Sequence, residues 1–163
     1  MDRIRASHGF PSLFWENSEI LILGSFPSVK SREQAFYYGH KQNRFWKMLA
    51  GVYGENVPET VEEKKTLCQK HGIALYDSIE SCDIVGSSDS SIKNIVPADL
   101  EPIFLASKIR KVICNGTASR KWFYVFQKEK EGVAYCLAPS TSAANASVKI
   151  EELIRAWGEL LLN

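Results

Sequence analysis

Long apolar runs, paired cysteines and a strong charge of either sign are all missing from this sequence of 163 residues. No apolar run approaches the roughly 20 residues that cross a bilayer, and the start of the chain lacks the apolar core of a signal peptide. The four cysteines are scattered without a C-x-x-C pair, which argues against a structural zinc or an iron–sulfur cluster. We therefore expect a cytoplasmic monomer with reduced thiols, no membrane contact, and no metal or other cofactor.

The near-neutral net charge of +1 argues against a chain that is basic throughout, yet the basic residues are unevenly distributed. Residues 24–47 contain five lysines and arginines and a single acid, for a local charge of +4. The remaining 15 basic and 18 acidic residues give −3. A basic segment of this kind can meet a phosphate backbone, although a merely solvated loop would have the same composition.

The order of predicted elements indicates one α/β domain over residues 1–163. Apolar content of 45% and charged content of 24% are those of an ordinary globular chain. Short apolar runs that predict buried strands alternate with amphipathic stretches that predict helices. The predicted strands are 19–23, 73–77, 111–115 and 133–138, and the predicted helices are 43–53, 58–70, 97–107, 118–130 and 148–161. This alternation predicts a three-layer α/β/α fold with a central four-stranded parallel sheet, whose strand ends share one cleft. The polar segment 78–93 is predicted to be a loop.

The loop after the first predicted strand contains a near match to a phosphate-binding motif. At 24–31 it reads GSFPSVKS, one residue short of the pattern G-x-x-x-x-G-K-[ST]. Val29 replaces the second glycine, and Pro27 removes a backbone N–H donor. A nucleotide hydrolase with Asp77 as a magnesium ligand is therefore a minor alternative.

Two segments together carry a resemblance to a known family. The first joins GSFPS at 24–28 to YYGHKQNRFW at 37–46, and the second is PSTSAANA at 139–146. In this order and separation they resemble the motifs of the uracil-DNA glycosylase superfamily, and within it most of all the hypoxanthine-DNA glycosylase group, often called family 6. The resemblance covers nearly the whole chain and implies a uracil-DNA glycosylase-like fold.

The resemblance also implies a pocket for a base that has been turned out of the DNA helix. Asn43 takes the catalytic position, where an amide can orient the attacking water. Tyr38 takes the position of the aromatic side chain that stacks on the base, and Asp77 that of a base-reading residue. Further base contacts are expected from three side chains: Phe26, Asn115 and Ser140. Contacts to the DNA backbone are expected from six more: Ser25, Ser28, Lys30, Ser31, His40 and Ser142.

Three of these residues also have a purely structural interpretation. Asn43 stands where a helix N-cap is expected, and Tyr38 can pack its loop against the sheet. Asp77 can cap a turn at the end of its strand. The sequence leaves both interpretations open for each of them.

Two departures from the wider superfamily weaken the catalytic interpretation. Phe26 stands where many members have an Asp or Asn that orients the water. The segment 138–140 lacks the histidine that stabilises the departing base in many uracil-specific members. Backbone N–H groups around Ser140 and Thr141 are then expected to replace it.

The resemblance therefore implies a monofunctional DNA glycosylase that hydrolyses the N-glycosidic bond of a deaminated base in base excision repair. Hypoxanthine is the first candidate base, with uracil and xanthine after it. Such an enzyme extrudes the nucleotide, stabilises the departing base and positions a water, none of which requires a metal. A catalytically silent nucleic-acid-binding module is the main alternative, favoured by Phe26 and the missing histidine.

Overall fold

The chain forms seven strands and six α-helices in the computed structural model, which describes residues 2–163. The strands are β1 (Arg3–Ser7), β2 (Ile20–Gly24), β3 (Ile73–Asp77), β4 (Ile79–Val85), β5 (Lys93–Pro97), β6 (Lys111–Asn115) and β7 (Ala134–Ala138). The helices are α1 (Val29–Gln34), α2 (Phe45–Tyr53), α3 (Val61–Lys70), α4 (Glu101–Ala106), α5 (Thr117–Phe126) and α6 (Ile150–Leu161). Two short 3₁₀ turns lie at Asp89–Ser91 and Ala143–Asn145.

A parallel sheet in the order β3-β2-β6-β7 forms the centre of the molecule. All five residues of β2 are buried, as are all five of β3, because helices cover both faces of the sheet. The predicted three-layer α/β/α fold is thus confirmed. The predicted strands 73–77 and 111–115 match their observed bounds, and the other two differ by one residue.

Aromatic side chains pack the helices against one another and against the sheet. Phe45 of α2 meets Trp157 of α6 edge to face, with 6.1 Å between ring centroids. Phe123 of α5 lies against Tyr135 of β7 at 5.4 Å. No helix within residues 2–163 is both long and apolar enough to cross a membrane.

The prediction of a loop over 78–93 is wrong. This segment contains β4, which pairs antiparallel with β1 on one side and with β5 on the other, so that a second sheet forms. Its buried residues are Ile79, Cys82 and Ile84, and their unequal spacing coincides with two register shifts in the pairing of β4 with β5. Because such bulges break the alternation of apolar and polar residues, the strand signal was lost.

The second sheet also corrects two neighbouring predictions. The helix predicted from residue 97 begins at Glu101, because 93–97 is strand β5. The segment predicted as a loop after the first strand contains α1, which Ser28 caps by accepting a hydrogen bond from Ser31 N–H. Ala35 ends this helix in the left-handed conformation, with φ of 54°.

Candidate active site

The carboxyl ends of β2, β3, β6 and β7 open into one cavity of about 280 Å³, as expected for a ligand site at this edge of a parallel sheet. The structure places every predicted site residue except Lys30 in its lining. The lining comprises Gly24, Ser25, Phe26, Pro27, Ser28, Ser31, Tyr37, Tyr38, His40, Asn43, Asp77, Ser87, Asp89, Asn115, Ser140, Thr141, Ser142 and Ala143. The two motif loops therefore converge over the same sheet edge.

Thr141 joins the two motif loops through its side chain. Its hydroxyl donates to Asn43 Oδ1 at 2.8 Å and accepts from Asn115 Nδ2 at 3.0 Å. Asn115 Oδ1 in turn accepts from the Thr141 backbone N–H at 3.0 Å. The Asn115 amide is thus bonded to Thr141 at both ends, and the Thr141 N–H is no free donor for a departing base.

The N-cap residue of α2 is Arg44 and not, as predicted, Asn43, but the Asn43 side chain still accepts from a helix N–H and also lines the cavity. Its Oδ1 accepts from Phe45 N–H at 3.0 Å, at the start of α2, in addition to the Thr141 hydroxyl. Both lone pairs of this oxygen are therefore occupied. Asn43 lines the cavity, and no residue within 2–163 accepts a hydrogen bond from its Nδ2, so these N–H donors are available to a ligand.

The second motif loop is held by Arg44, which precedes α2, and by Trp157 of α6. Trp157 Nε1–H donates to the Pro139 carbonyl at 3.0 Å. The Arg44 guanidinium donates to the carbonyl oxygens of Asn145 and Val148, and its backbone N–H donates to Thr141 O at 3.0 Å. Arg44, which the sequence placed in the basic segment, therefore serves to fix this loop.

Tyr38 is held in place by a contact on one face of its ring. Its ring stacks on Phe45 with 4.0 Å between centroids and 18° between planes. Its backbone has φ of 54°, a left-handed conformation that is unusual for a bulky residue and marks a constrained position. The hydroxyl is enclosed and has no hydrogen-bond partner among the described residues. Burial, with the nearby Asp77 carboxyl second, raises the pKa of Tyr38 well above its usual range, so the phenol stays protonated.

Asp77 ends β3 at the floor of the cavity and is paired with His8. Asp77 is 4% exposed and His8 is fully buried. Asp77 Oδ2 lies 2.7 Å from His8 Nε2, and His8 Nδ1–H donates to the Phe10 carbonyl at 2.9 Å. A Cβ on Gly24 would lie 2.3 Å from Asp77 Oδ1, so the glycine leaves room for the carboxyl. No pattern in the sequence indicated His8, which is 69 residues from Asp77.

Phe26 lies between the cavity and the second sheet. It is 8% exposed and packs with the buried residues of β4, and the Arg32 guanidinium lies 5.4 Å from its ring centroid. Arg32 also donates to the carbonyls of Pro27 and Gly86. Arg32 therefore joins the loop between β2 and α1 to the turn after β4, much as Arg44 fixes the second motif loop.

The hydroxyls predicted to contact phosphates are bonded within the protein. Ser31 is 2% exposed, and its hydroxyl accepts from Gly39 N–H at 3.0 Å and from the Ser28 hydroxyl at 3.1 Å. Ser142 accepts from Ala144 N–H at 3.2 Å. His40 is exposed at the cavity rim and accepts from the Gln42 backbone N–H.

The exposed cations of the basic segment 24–47 are three lysines: Lys30, Lys41 and Lys47. Lys30 lies outside the cavity lining and faces Glu33 at 3.6 Å. Because both of these side chains are more than half exposed, this ion pair contributes little to stability. Because Arg32 and Arg44 are bonded within the protein, these three lysines are the cations of the basic segment that can contact a polyanion.

A turn of the second sheet contributes two site residues that the sequence did not indicate as such. Ser87 and Asp89 lie between β4 and β5 and line the cavity. The Ser25 hydroxyl donates to Asp89 Oδ1 at 2.7 Å, and Val29 N–H donates to Ser87 Oγ at 2.9 Å. The run of serines at 86–91 showed only that this segment is polar.

The geometry does not suit a triphosphate cradle. In such a loop the backbone N–H groups must point at the ligand. Here the N–H groups of Val29 and Ser31 are bonded to the hydroxyls of Ser87 and Ser28. No group of three or more metal-ligating side chains occurs within residues 2–163.

Comparison with known proteins identifies the class. The chain superposes on a solution NMR structure of a candidate uracil DNA glycosylase from Methanosarcina acetivorans, with a TM-score of 0.81 and 29% identity, over 98% of this chain and 100% of that one. The fold and the two motif loops thus define a uracil-DNA glycosylase-like protein.

Curated relatives narrow the class to a family. A hypoxanthine DNA glycosylase of Methanosarcina acetivorans is 35% identical over 141 residues, which are 84% of this chain and 87% of the relative. One of Methanosarcina barkeri is 36% identical over 116 residues, which are 70% of this chain and 73% of the relative. No family model matches the sequence. The chain belongs to the hypoxanthine-DNA glycosylase group of the uracil-DNA glycosylase superfamily.

Proposed function

We propose that this protein is a monofunctional DNA glycosylase that removes a deaminated base, hypoxanthine first and uracil or xanthine next, and leaves an abasic site for base excision repair. The observation that carries the proposal is the hydrogen bond from Thr141 to Asn43 across the cavity. It joins the two motif segments, 98 residues apart in the chain, into one pocket. A cavity of about 280 Å³ suits a single planar base.

The extruded base stacks on Tyr38. Phe45 supports the far face of this ring, so the platform is held rigid. Asp77 meets the edge of the base from the floor of the cavity, where its Oδ1 can accept the ring N–H that hypoxanthine and uracil both carry. Phe26 completes the apolar wall.

Asn43 positions the attacking water. Its Nδ2–H donates to one lone pair of the water, which leaves the other free to approach C1′ of the sugar. The sugar develops positive charge as the bond to the base breaks, so a positioned neutral water suffices. The two bonds at Oδ1 keep the amide from rotating.

Ser140 stabilises the departing base. Its hydroxyl oxygen accepts from Ser142 N–H at 3.1 Å, which leaves its own proton free for an oxygen of the base. This donor stands in for the missing histidine. Asn115 supports the pocket through Thr141.

We propose that Lys30, His40 and Ser142 contact the DNA backbone around this pocket. Ser25, Ser28 and Ser31 were predicted to do the same, but their hydroxyls are bonded within the protein and shape the loops instead. We propose that residues 1–163 act as a single domain and as a monomer, since one chain supplies the whole cavity. The free cysteines Cys68, Cys82, Cys114 and Cys136 support a cytoplasmic location.

Incubation with duplex oligonucleotides that contain deoxyinosine, deoxyuridine or deoxyxanthosine, followed by alkaline cleavage at abasic sites, tests the proposal. We expect strand scission at the deaminated base, and most at deoxyinosine. Binding without scission of any of the three would identify a silent nucleic-acid-binding module instead.

Two variants of Asn43 separate its proposed catalytic function from helix capping. Asn43→Asp keeps an oxygen that can accept from Phe45 N–H and Thr141, but removes the Nδ2 donors. Asn43→Ala removes both, and the lost cap lowers stability by about 0.5–2 kcal/mol. We expect both variants to lose most of the activity, and only Asn43→Ala to lose stability. Full activity in Asn43→Ala would exclude Asn43 from catalysis.

A further inference from the structure

The buried pair of His8 and Asp77 contains a proton whose presence follows from its hydrogen bonds. The Phe10 carbonyl can only accept, so His8 Nδ1 carries a hydrogen. At 2.7 Å, an unprotonated Nε2 and a bare carboxylate oxygen would face each other as two acceptors. One further proton must therefore lie between Nε2 and Oδ2. Whichever of the two atoms holds it, the pair has no net charge.

Among the described residues, no other basic group can neutralise the charge of Asp77. Of the residues within 2–163, His8 alone forms an ion pair with Asp77. The titratable groups that face the pair are Tyr37, Tyr38, Tyr76, Glu80 and Asp89. Burial raises the pKa of all three tyrosines above the usual range, so none of them is charged, and the other two residues are acids.

We infer that His8 is a positioning residue that keeps the His8–Asp77 pair without net charge, so that the base pocket can accommodate an anionic departing base. This inference rests on the proposed function. Cleavage of the glycosidic bond leaves the bonding electrons on the base, whose negative charge develops within the cavity that Asp77 lines. An unpaired carboxylate there would repel it.

The shared proton leaves the recognition of the base intact. His8 occupies Oδ2, whereas Oδ1 remains an acceptor in either protonation state of the pair. The acceptor can therefore hold the N1–H of hypoxanthine or the N3–H of uracil, which these bases keep when they leave. Adenine and cytosine have no hydrogen on the corresponding ring nitrogen and are not bound in this way. His8 thus lets an acidic residue occupy the base-reading position.

The test is a double-mutant cycle with His8→Gln and Asp77→Asn, measured as single-turnover cleavage of a deoxyinosine duplex. Glutamine keeps an N–H donor for Asp77 but supplies no proton. We expect His8→Gln alone to slow cleavage at least about tenfold, with the Kd for the uncleaved duplex unchanged, because the anion forms only in the reaction. In the Asp77→Asn background, the same change should cost less than about twofold, since an amide has no charge to neutralise.

Thermal unfolding of all four proteins shows whether stability follows the same pattern. If His8→Gln alone fails to fold, the double variant should fold again, because the uncompensated buried charge is gone. An equal loss of rate in both backgrounds, or a double variant that stays unfolded, would overturn the inference. An inactive wild-type protein would instead overturn the proposed function itself, and the inference with it.

Discussion

At the scale of single residues, Thr141 is the side chain on which the geometry of the pocket depends most. It is fully buried, and no charge or aromatic ring in the sequence marked it. Thr141→Val keeps the shape but leaves Asn115 Nδ2 without an acceptor and Asn43 Oδ1 with one donor fewer. We expect a loss of about 1–3 kcal/mol in unfolding free energy and a fall of about 10- to 100-fold in kcat/KM.

Thr117→Val is the matched control for that substitution. Thr117 is exposed at the first residue of α5, so the same exchange should leave both quantities nearly unchanged. Chemical denaturation and the deoxyinosine assay measure them. Wild-type activity in Thr141→Val would show that the bond between the loops does not position Asn43.

Gly24 is constrained by space rather than by backbone conformation. A Cβ at this position would lie 2.3 Å from Asp77 Oδ1 and 3.4 Å from the Tyr38 hydroxyl. Gly24→Ala should therefore displace Asp77, cost about 1–3 kcal/mol of stability and reduce cleavage. Gly158→Ala is the control, because a Cβ there meets nothing within 4 Å and α6 gains a better helix former. Gly158→Ala should raise stability by about 0.5–1 kcal/mol. Equal shifts of the melting temperature in Gly24→Ala and Gly158→Ala would contradict the steric interpretation.

At the scale of elements, the start of helix α3 is set by a short local sequence. Thr60 and Glu63 form a reciprocal capping box at its start, with Glu63 N–H donating to Thr60 at 3.1 Å and Thr60 N–H donating to Glu63 at 3.0 Å. Thr60→Ala should cost about 1 kcal/mol. Thr66→Ala, the same change at an exposed position inside this helix, should stabilise by a few tenths, since alanine is the better helix former. Thermal unfolding measures both changes in stability. If Thr60→Ala and Thr66→Ala change stability in the same direction, the capping interpretation is wrong.

The predictable elements were those whose signal lies in consecutive residues. The strands 73–77 and 111–115 each contain a continuous apolar run and are predicted with their observed bounds. Strands β1 and β4 were missed because their stability depends on each other and not on their own composition. Residues 3–5 of β1 are exposed, and β4 contains acids and bulges, yet the two strands pair over five residues. Pairings of this kind join distant parts of the chain and leave no local periodicity.

At the scale of the whole molecule, the motif residues were predictable and their partners were not. Tyr38, Asn43 and Ser140 line one cavity, as the two motifs implied. His8 reaches Asp77 across 69 residues, and Asp89 reaches Ser25 across 64. Such contacts follow from how the second sheet docks beside the first, and a single sequence contains no record of them.

Binding to DNA is also a property of the whole molecule. The salt dependence of the affinity depends on the exposed cations and not on the whole basic segment. With Arg32 and Arg44 engaged in holding loops, Lys41 is an exposed cation beside the cavity rim. Lys41→Gln should lower the slope of log K against log salt by about 0.9 for duplex DNA. Lys41→Arg should retain the slope, because it retains the charge.

Lys128→Gln provides the control for position. Lys128 is exposed in the connection between α5 and β7, at the edge of the sheet opposite the cavity, because it precedes the amino end of β7. Its neutralisation changes the net charge by the same amount, yet should leave the salt slope at its wild-type value. Fluorescence anisotropy with a labelled duplex over a series of salt concentrations measures the slopes. Equal effects of Lys41→Gln and Lys128→Gln would mean that DNA responds only to total charge and that the cavity edge is not where the phosphates lie.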